Sequence, residues 1–256
     1  MDLRSFVGGT MIVVAALTGG AQAATILGQG TWETTLQPRD LNGAGVADAF
    51  YDTILDITWL RDANLNGQQS WADATSWASA LTIGGVSGWR LPAMVDTGAP
   101  GCDFALLGTD CGQNVQTKDG SLTKYSPGQT VYSEMAHLFY VTLGNKSQCA
   151  PADYGCPARY QAGWGLTNIG AFLNLQGTSG SDYWSNLLEP ERGAAWSFRY
   201  WDGSQQNYYT WFSPKYAMVV RSGDVLQVPE PKTYIFLLAG LASMVVVMRR
   251  RRSDRV

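Results

Sequence analysis

The clearest arrangement of metal-binding residue types in this chain lies in one short segment. Asp62, Asn64 and Asn66 alternate along it, Gly67 follows, and Asp73 stands at the twelfth position. This order matches the calcium-loop template except that Asp replaces the final Glu. Alternate oxygens in such a loop converge on one hard cation, and glycine permits the sharp turn. The plainer interpretation is a loop of ordinary turn residues whose last Asp caps a helix.

A degenerate version of the same pattern precedes it. Asp40, Asn42, Asp48 and Asp52 enclose two glycines, but Ala44 stands where a carboxylate would help. An EF-hand requires a helix before its calcium loop. The sequence predicts none before the longer loop. These residues therefore suggest one cofactor, a structural calcium ion. The alternative is that the Asp and Asn side chains only stabilise turns.

His137 is the single histidine. With Ser133 one turn before it and some aspartate, it could imitate a hydrolytic triad. Ser133 is better used as a helix cap, and the neighbours Leu138 and Phe139 favour a packed, hydrogen-bonded imidazole. Because no credible catalytic set emerges, the chain is predicted not to be an enzyme.

Aromatic residues are concentrated near the end of the chain. Strand alternation turns only about half of them inward, and exposed Trp and Tyr beside amides are residue types that stack on sugar rings and bind hydroxyls. The candidate ligand-binding residues are Trp201, Asp202, Asn207, Tyr209 and Trp211. The alternative is that these aromatics only pack a hairpin.

Two helices and several strands must position these residues. The helices are predicted over 70–81, where Ser70 and Asp73 give a capping-box-like start, and over 133–143, where Ser133 is the cap. Asp202-Gly203 marks a hairpin between two strands. Strands are predicted over 25–35 and 50–60, and in a terminal antiparallel meander over 183–185, 194–200, 206–211 and 216–221.

The first 23 residues are typical of a secretory signal peptide. Arg4 supplies positive charge, an apolar stretch follows, and Ala21-Gln22-Ala23 is a cleavage site. The apolar stretch is short for a membrane span, and no stop-transfer pattern follows it. Cleavage after Ala23 is therefore predicted, rather than retention as an anchor.

The last 29 residues, 228–256, combine a breaker, an apolar segment and a basic end. Pro229-Glu230-Pro231 ends any preceding element. Residues 233–248 are predicted to form a transmembrane helix, because a helix forms all its backbone hydrogen bonds internally in lipid. The four arginines that follow are expected to stay on the cytoplasmic side. This tail resembles the PEP-CTERM sorting signal of Gram-negative bacteria. The resemblance implies export, a transient inner-membrane anchor, cleavage by an exosortase near Pro-Glu-Pro, and release to the cell surface or extracellular matrix.

Four cysteines are present, and an even number in an exported chain indicates disulfides. The preferred pairing is local, since each bridge would close a short loop rich in Gly, Pro and Asp, although three connectivities are open. The preferred pairs are Cys102 with Cys111 and Cys149 with Cys156. Zinc is disfavoured because the chain lacks C-x-x-C spacing and histidine partners.

Several segments resemble the Lcl-type C-terminal domain of bacterial exported proteins. The most specific are Gly88-Trp89-Arg90-Leu91-Pro92 and Tyr183-Trp184-Ser185, and the resemblance covers about 50–223. It implies a fold related to C-type lectins and formylglycine-generating enzymes, without an agreed activity. It also implies that Trp89 and Arg90 belong to the core and a buried ion pair. The alternative is that the two side chains stack and hold a ligand. A cysteine-based oxidase is the remote enzymatic alternative.

The expected organisation is a signal peptide (1–23), an N-terminal strand and loop (24–49), one Lcl-like α+β domain (50–224) and the sorting signal (228–256). In the domain, two helices pack on a small twisted antiparallel sheet with long loops. Residues 24–228 carry 11 Lys and Arg against 18 Asp and Glu, a net charge of −7. Such an acidic domain is a poor nucleic-acid binder. The predicted function is non-enzymatic binding of polysaccharide or another surface component, as in a biofilm matrix. The alternative is a purely structural matrix component.

Overall fold

The computed structural model describes residues 24–95, 132–149, 160–211 and 213–225. Short strands outnumber helices in these ranges, and two sheets share the core. The strands are β1 (Leu36–Arg39), β2 (Ala49–Asp52), β3 (Ile57–Leu60), β4 (Gln68–Gln69), β5 (Met94–Val95), β6 (Tyr132–Ser133), β7 (Asp182–Glu189), β8 (Ala194–Arg199), β9 (Ser204–Tyr209), β10 (Lys215–Tyr216) and β11 (Val220–Ser222). The α-helices are α1 (Trp32–Thr35), α2 (Trp71–Ala80) and α3 (Glu134–His137).

The first sheet has the strand order β1-β2-β3-β11, with all neighbours antiparallel. Its β2–β3 hairpin corrects the prediction of one strand over 50–60. Asp52 causes the reversal, because its Oδ1 accepts the backbone N–H groups of Ile54 and Leu55 at 3.0 Å each. The turn ends at Asp56, which adopts a positive φ of 53°.

The N-terminal segment differs from its predicted strand over 25–35. Residues 24–31 are irregular and the four-residue helix α1 follows. The carbonyl of Thr31 accepts the N–H groups of Thr34 and Thr35 at 3.0 and 2.9 Å, which winds the chain into a turn. Gly30 lies so close to the backbone of Thr142 that a Cβ would clash.

The second sheet has the order β4-β10-β7-β8-β9. Its strands are antiparallel except for the short parallel pair of β10 with β7. The single strand predicted over 216–221 is therefore two strands, β10 and β11, which belong to different sheets. The predicted hairpin at Asp202-Gly203 is confirmed between β8 and β9.

Both predicted helices are present. Ser70 caps α2 by accepting the N–H of Asp73 at 3.2 Å and donating to its carboxylate at 2.7 Å. Ser133 caps α3, which continues as a π-helical segment, Leu138–Thr142, before Gly144 turns left-handed. The capping residues read from the sequence are therefore correct.

Two apolar clusters cover the two faces of the second sheet. Side chains of directly paired residues share a face, so Trp196 and Phe198 point toward α3, while Trp184 and Ala195 point toward α2. Residues of the first sheet contribute to both clusters. The result is the α+β arrangement expected, with its strands divided between two large sheets and the two-stranded β5–β6 ladder rather than one.

Several predicted features lie outside the described residues. They are the signal peptide, the sorting signal with its helix over 233–248, and Cys102, Cys111 and Cys156. In the ranges that are described, no helix combines the length and hydropathy needed to cross a bilayer. Cys149 is described and buried, and the disulfide pairings stay predictions.

Candidate functional site

The far end of the β8–β9 hairpin presents two aromatic rings to solvent. Tyr209 ends β9 and is 58% exposed, and Trp211 in the following turn is 75% exposed. Their ring centroids are 6.0 Å apart with an interplanar angle of 37°. The two rings form a partly aligned apolar surface, which we call the aromatic platform.

The register of β9 explains why the platform is exposed. Tyr209 pairs with Ala194, whose side chain is too small to cover a phenol ring. Two residues earlier on the same face, Asn207 pairs with the fully buried Trp196. This face of the sheet thus changes from core to solvent along one strand, and β9 lies at the end of the strand order.

A cleft of about 580 Å³ adjoins the platform. Its polar groups are the guanidinium of Arg192, the amides of Gln206 and Asn207 and the phenols of Tyr208 and Tyr209. Asn207 donates to the Glu189 carboxylate at 2.8 Å, which fixes its orientation. The cleft therefore offers several neutral hydrogen-bonding groups beside two exposed rings.

Trp201 lies at the opposite end of the same hairpin. The length of β9, about 16 Å for six residues, separates the two ends. The guanidinium of Arg199 lies 4.4 Å from the Trp201 ring, and Trp164 makes an edge contact at 6.1 Å. Trp164 and Trp201 border a second cleft of about 540 Å³. The structure therefore does not bring Trp201 together with Tyr209 and Trp211.

The side chain of Asp202 points into the protein rather than toward solvent. It is 5% exposed, and its Oδ1 accepts the N–H and hydroxyl of Ser204 at 3.0 and 2.7 Å. Its other oxygen lies 3.4 Å from Arg199. Burial raises the pKa of Asp202, although the nearby Arg199 opposes that shift. Its position is that of a turn-forming residue.

A cluster of charged groups lies beneath β9 on the face toward α2. Lys215 donates to Asp182 at 2.8 Å, and its ammonium lies 3.3 Å from the centroid of the Tyr208 ring. Burial lowers the pKa of Lys215, while Asp182 raises it. Burial also raises the pKa of Tyr208 well above its usual range. These contacts hold the cleft-lining Tyr208 in place.

The predicted calcium loop is built from internal hydrogen bonds. Asp62 accepts from the Asn64 N–H and from the Asn174 side chain, both at 2.9 Å. Asp73 is bonded to Ser70 at the start of α2, and Asn66 lies in the intervening turn. No trio of His, Cys, Asp or Glu side chains within the described ranges is grouped closely enough to hold a metal ion.

The second, degenerate loop is likewise closed by its own donors. Asp40 accepts from the backbone N–H groups of Gly43, Ala44 and Gly45 at 2.6–3.2 Å. These donors lower the pKa of Asp40. Asp48 accepts the N–H of Leu41 at 2.9 Å. The carboxylates therefore stabilise the turns of this loop, which agrees with the interpretation of these residues as turn formers.

The residues that resemble catalytic or ligand-stacking groups have structural positions. His137 is fully buried, and Ser133 is the α3 cap. Arg90 makes two 2.9 Å bonds to Glu134, which is 5% exposed. Trp89 is 2% exposed, so the expected core residue and ion pair are both present.

Sequence reasoning missed the aromatic row of the second cleft. Tyr160 and Trp164 make an edge contact at 5.5 Å, and Trp164 continues to Trp201. Both lie in a stretch that reads only as loop. The local signal is the tight Gly163-Trp164-Gly165, in which both glycines have positive φ and Gly165 lies against the Trp201 carbonyl.

Comparison with known families adds evidence from the C-terminal end. Residues 227–252 match the model described as the PEP-CTERM protein-sorting motif. The motif indicates an exported protein that transits the membrane, is processed by exosortase and reaches the cell surface. Neither curated proteins nor solved structures give a match. The resemblance of the domain to Lcl-type and lectin-like folds stays a prediction.

Proposed function

We propose that the folded domain is a non-enzymatic polysaccharide-binding module, which attaches this exported protein to a surface or matrix polymer. The observation that carries the proposal is the aromatic platform, formed by Tyr209 and Trp211 beside a cleft. Water solvates exposed aromatic rings of this size poorly, so covering them with an apolar surface lowers the free energy. The less polar face of a sugar ring has the matching shape.

The polar groups of the cleft suit sugar hydroxyls. Gln206, Asn207 and Tyr208 line the cleft and carry polar groups without formal charge. The Gln206 amide donates to the Tyr208 hydroxyl and the Asn207 amide to Glu189, and the carbonyl oxygens of both amides can accept from further partners. Among the described residues that line the cleft, Arg192 is the one with a positive charge. Because residues 24–228 carry a net charge of −7, a strongly anionic polymer would be repelled at long range. A polysaccharide of low negative charge is therefore the preferred ligand class.

Trp211→Ala tests the platform. The processed protein, recovered from a producing strain, is applied to a glycan array with and without EDTA. We expect wild-type protein to bind a subset of neutral glycans and Trp211→Ala to bind them at least about fivefold more weakly, since central aromatic contacts contribute more than about 1 kcal/mol. Thermal midpoints should agree, because the indole is mostly solvent-exposed.

Tyr160→Ala is the matched control, because Tyr160 is 60% exposed and lies outside the cleft beside the platform. It should bind as wild type does. Unchanged binding by Trp211→Ala would contradict the proposed site. An array without any bound glycan, in either buffer, would instead favour a structural component without a discrete ligand.

A further inference from the structure

The described part of the domain reaches almost to the sorting motif. Val225 is 3% exposed and packs in the apolar cluster beneath α2, with Leu41 and Trp89 among its members. The matched motif begins at Gln227. Only one residue therefore separates the buried Val225 from the matched motif.

A set of polar contacts holds this end of the domain. Arg39 bonds both carboxylate oxygens of Asp224, at 2.7 and 2.8 Å. The preceding Gly223 donates to the Asp56 carbonyl and accepts from the Thr58 hydroxyl, both at 2.8 Å. We call the Arg39–Asp224 pair, together with the buried Val225, the C-terminal clamp.

The clamp limits how far the cleavage region can extend. A fully extended chain advances about 3.3–3.6 Å per residue, so Pro229 lies at most about 14 Å from Val225. A domain of roughly 200 residues has a radius of gyration of about 16 Å. Pro229, the first residue of the Pro229-Glu230-Pro231 segment, is therefore kept within about one such radius of Val225.

We infer that Arg39 and Asp224 are positioning residues for exosortase processing, and that their ion pair slows cleavage of the folded protein. A membrane enzyme that cleaves peptide must enclose an extended stretch on both sides of the cleaved bond. With the clamp closed, the domain occupies space that the enzyme needs. Opening it frees Asp224 and Val225, which adds about 7 Å of chain beyond Gly223.

The test measures processing in a producing strain with active exosortase, by pulse-chase and immunoblotting of the full chain. The variants are Arg39→Ala, a six-residue Gly/Ser insertion between Leu226 and Gln227, and the two combined. We expect each single change to raise the cleavage rate, with Arg39→Ala raising it up to about fivefold, as befits a partly exposed ion pair. The combination should process no faster than the insertion alone, because the insertion already supplies the missing reach.

Two further variants separate positioning from loss of stability. Ser133→Ala removes the cap of α3, whose residues pack in the other apolar cluster and not against Val225, so its cleavage rate should stay at the wild-type value. The exchange of both charges, Arg39→Asp with Asp224→Arg, should restore slow processing. The inference is overturned if Arg39→Ala processes at the wild-type rate. It is also overturned if Ser133→Ala accelerates cleavage as much, or if the effects of Arg39→Ala and the insertion multiply.

Discussion

Asp202 is an acidic side chain held almost out of water at the tip of the β8–β9 hairpin. Its hydrogen bonds to Ser204 stabilise the turn, and Arg199 lies 3.4 Å away. Burial nevertheless raises its pKa, so the folded protein binds a proton at this site more readily than the unfolded chain does. The residue favours folding in its protonated form.

Asp202→Asn should therefore change the pH dependence of stability. With a raised folded pKa, the contribution of Asp202 is fully present below its unfolded pKa of about 3.9 and is lost as pH rises through the folded pKa. Asparagine keeps the acceptor for Ser204 but does not titrate. The unfolding free energy of the variant relative to wild type should rise as pH increases above about 4.

Chemical denaturation at a series of pH values measures this difference. Gln37→Asn, on β1 in the other sheet, serves as a non-titrating control and should show a constant difference from wild type. A constant difference for Asp202→Asn as well would mean that its carboxylate has the same pKa in the folded and unfolded chains.

The exposed aromatics illustrate what sequence can resolve about a single residue. Alternation along β9 predicts that about half of its side chains face solvent, and Tyr209 does. It does not predict that Ala194 lies opposite, which is what leaves the ring uncovered. Strand alternation also does not predict that the Asp202 side chain is buried. Its burial depends on its hydrogen bonds to Ser204 and on its short distance from Arg199.

The elements predicted correctly are those whose ends are specified locally. The helix α2 begins at the Ser70 cap, which bonds to Asp73, and the Asp202-Gly203 pair specifies a two-strand reversal. The β2–β3 reversal has no glycine or proline in its turn, 53–56. Its apolar residues therefore predict one continuous strand, which the hydrogen bonds of the Asp52 side chain and the positive φ of Asp56 interrupt.

Asp52→Ala should destabilise the protein by about 2–4 kcal/mol. The carboxylate is fully buried and accepts from two turn N–H groups and, at 3.4 Å, from the Trp59 indole. Removing it leaves buried donors without their acceptor, at about 1–3 kcal/mol for each unsatisfied group. Urea denaturation followed by Trp fluorescence measures the loss.

Asp48→Ala provides the comparison within the same hairpin region. Its carboxylate serves backbone and side-chain donors of the preceding loop, which are more exposed, so water can replace it. We expect a loss of about 1 kcal/mol or less. Equal losses for the two variants would show that Asp52 does not control the reversal.

At the scale of the whole molecule, the two sheets are joined by the segment between β10 and β11. Ala217, Met218 and Val219 are all at most 1% exposed. Met218 packs with residues of both sheets and also accepts a bond from the Tyr200 hydroxyl at 3.3 Å. The sequence predicts a strand here because the segment is apolar, but membership in two sheets depends on pairing with distant strands.

Met218→Ala should therefore weaken both sheets together. A buried Met-to-Ala change costs about 2–5 kcal/mol, and the shared core transmits the loss to strands on either side. Hydrogen exchange should show equal loss of protection for the slowest amides of β2–β3 and of β7–β8. A loss confined to one hairpin would mean that the sheets unfold as separate units. Equal losses would show that the two sheets unfold as one cooperative unit. The platform on β9 and the clamp beside β11 would then belong to that unit, although they lie in different sheets.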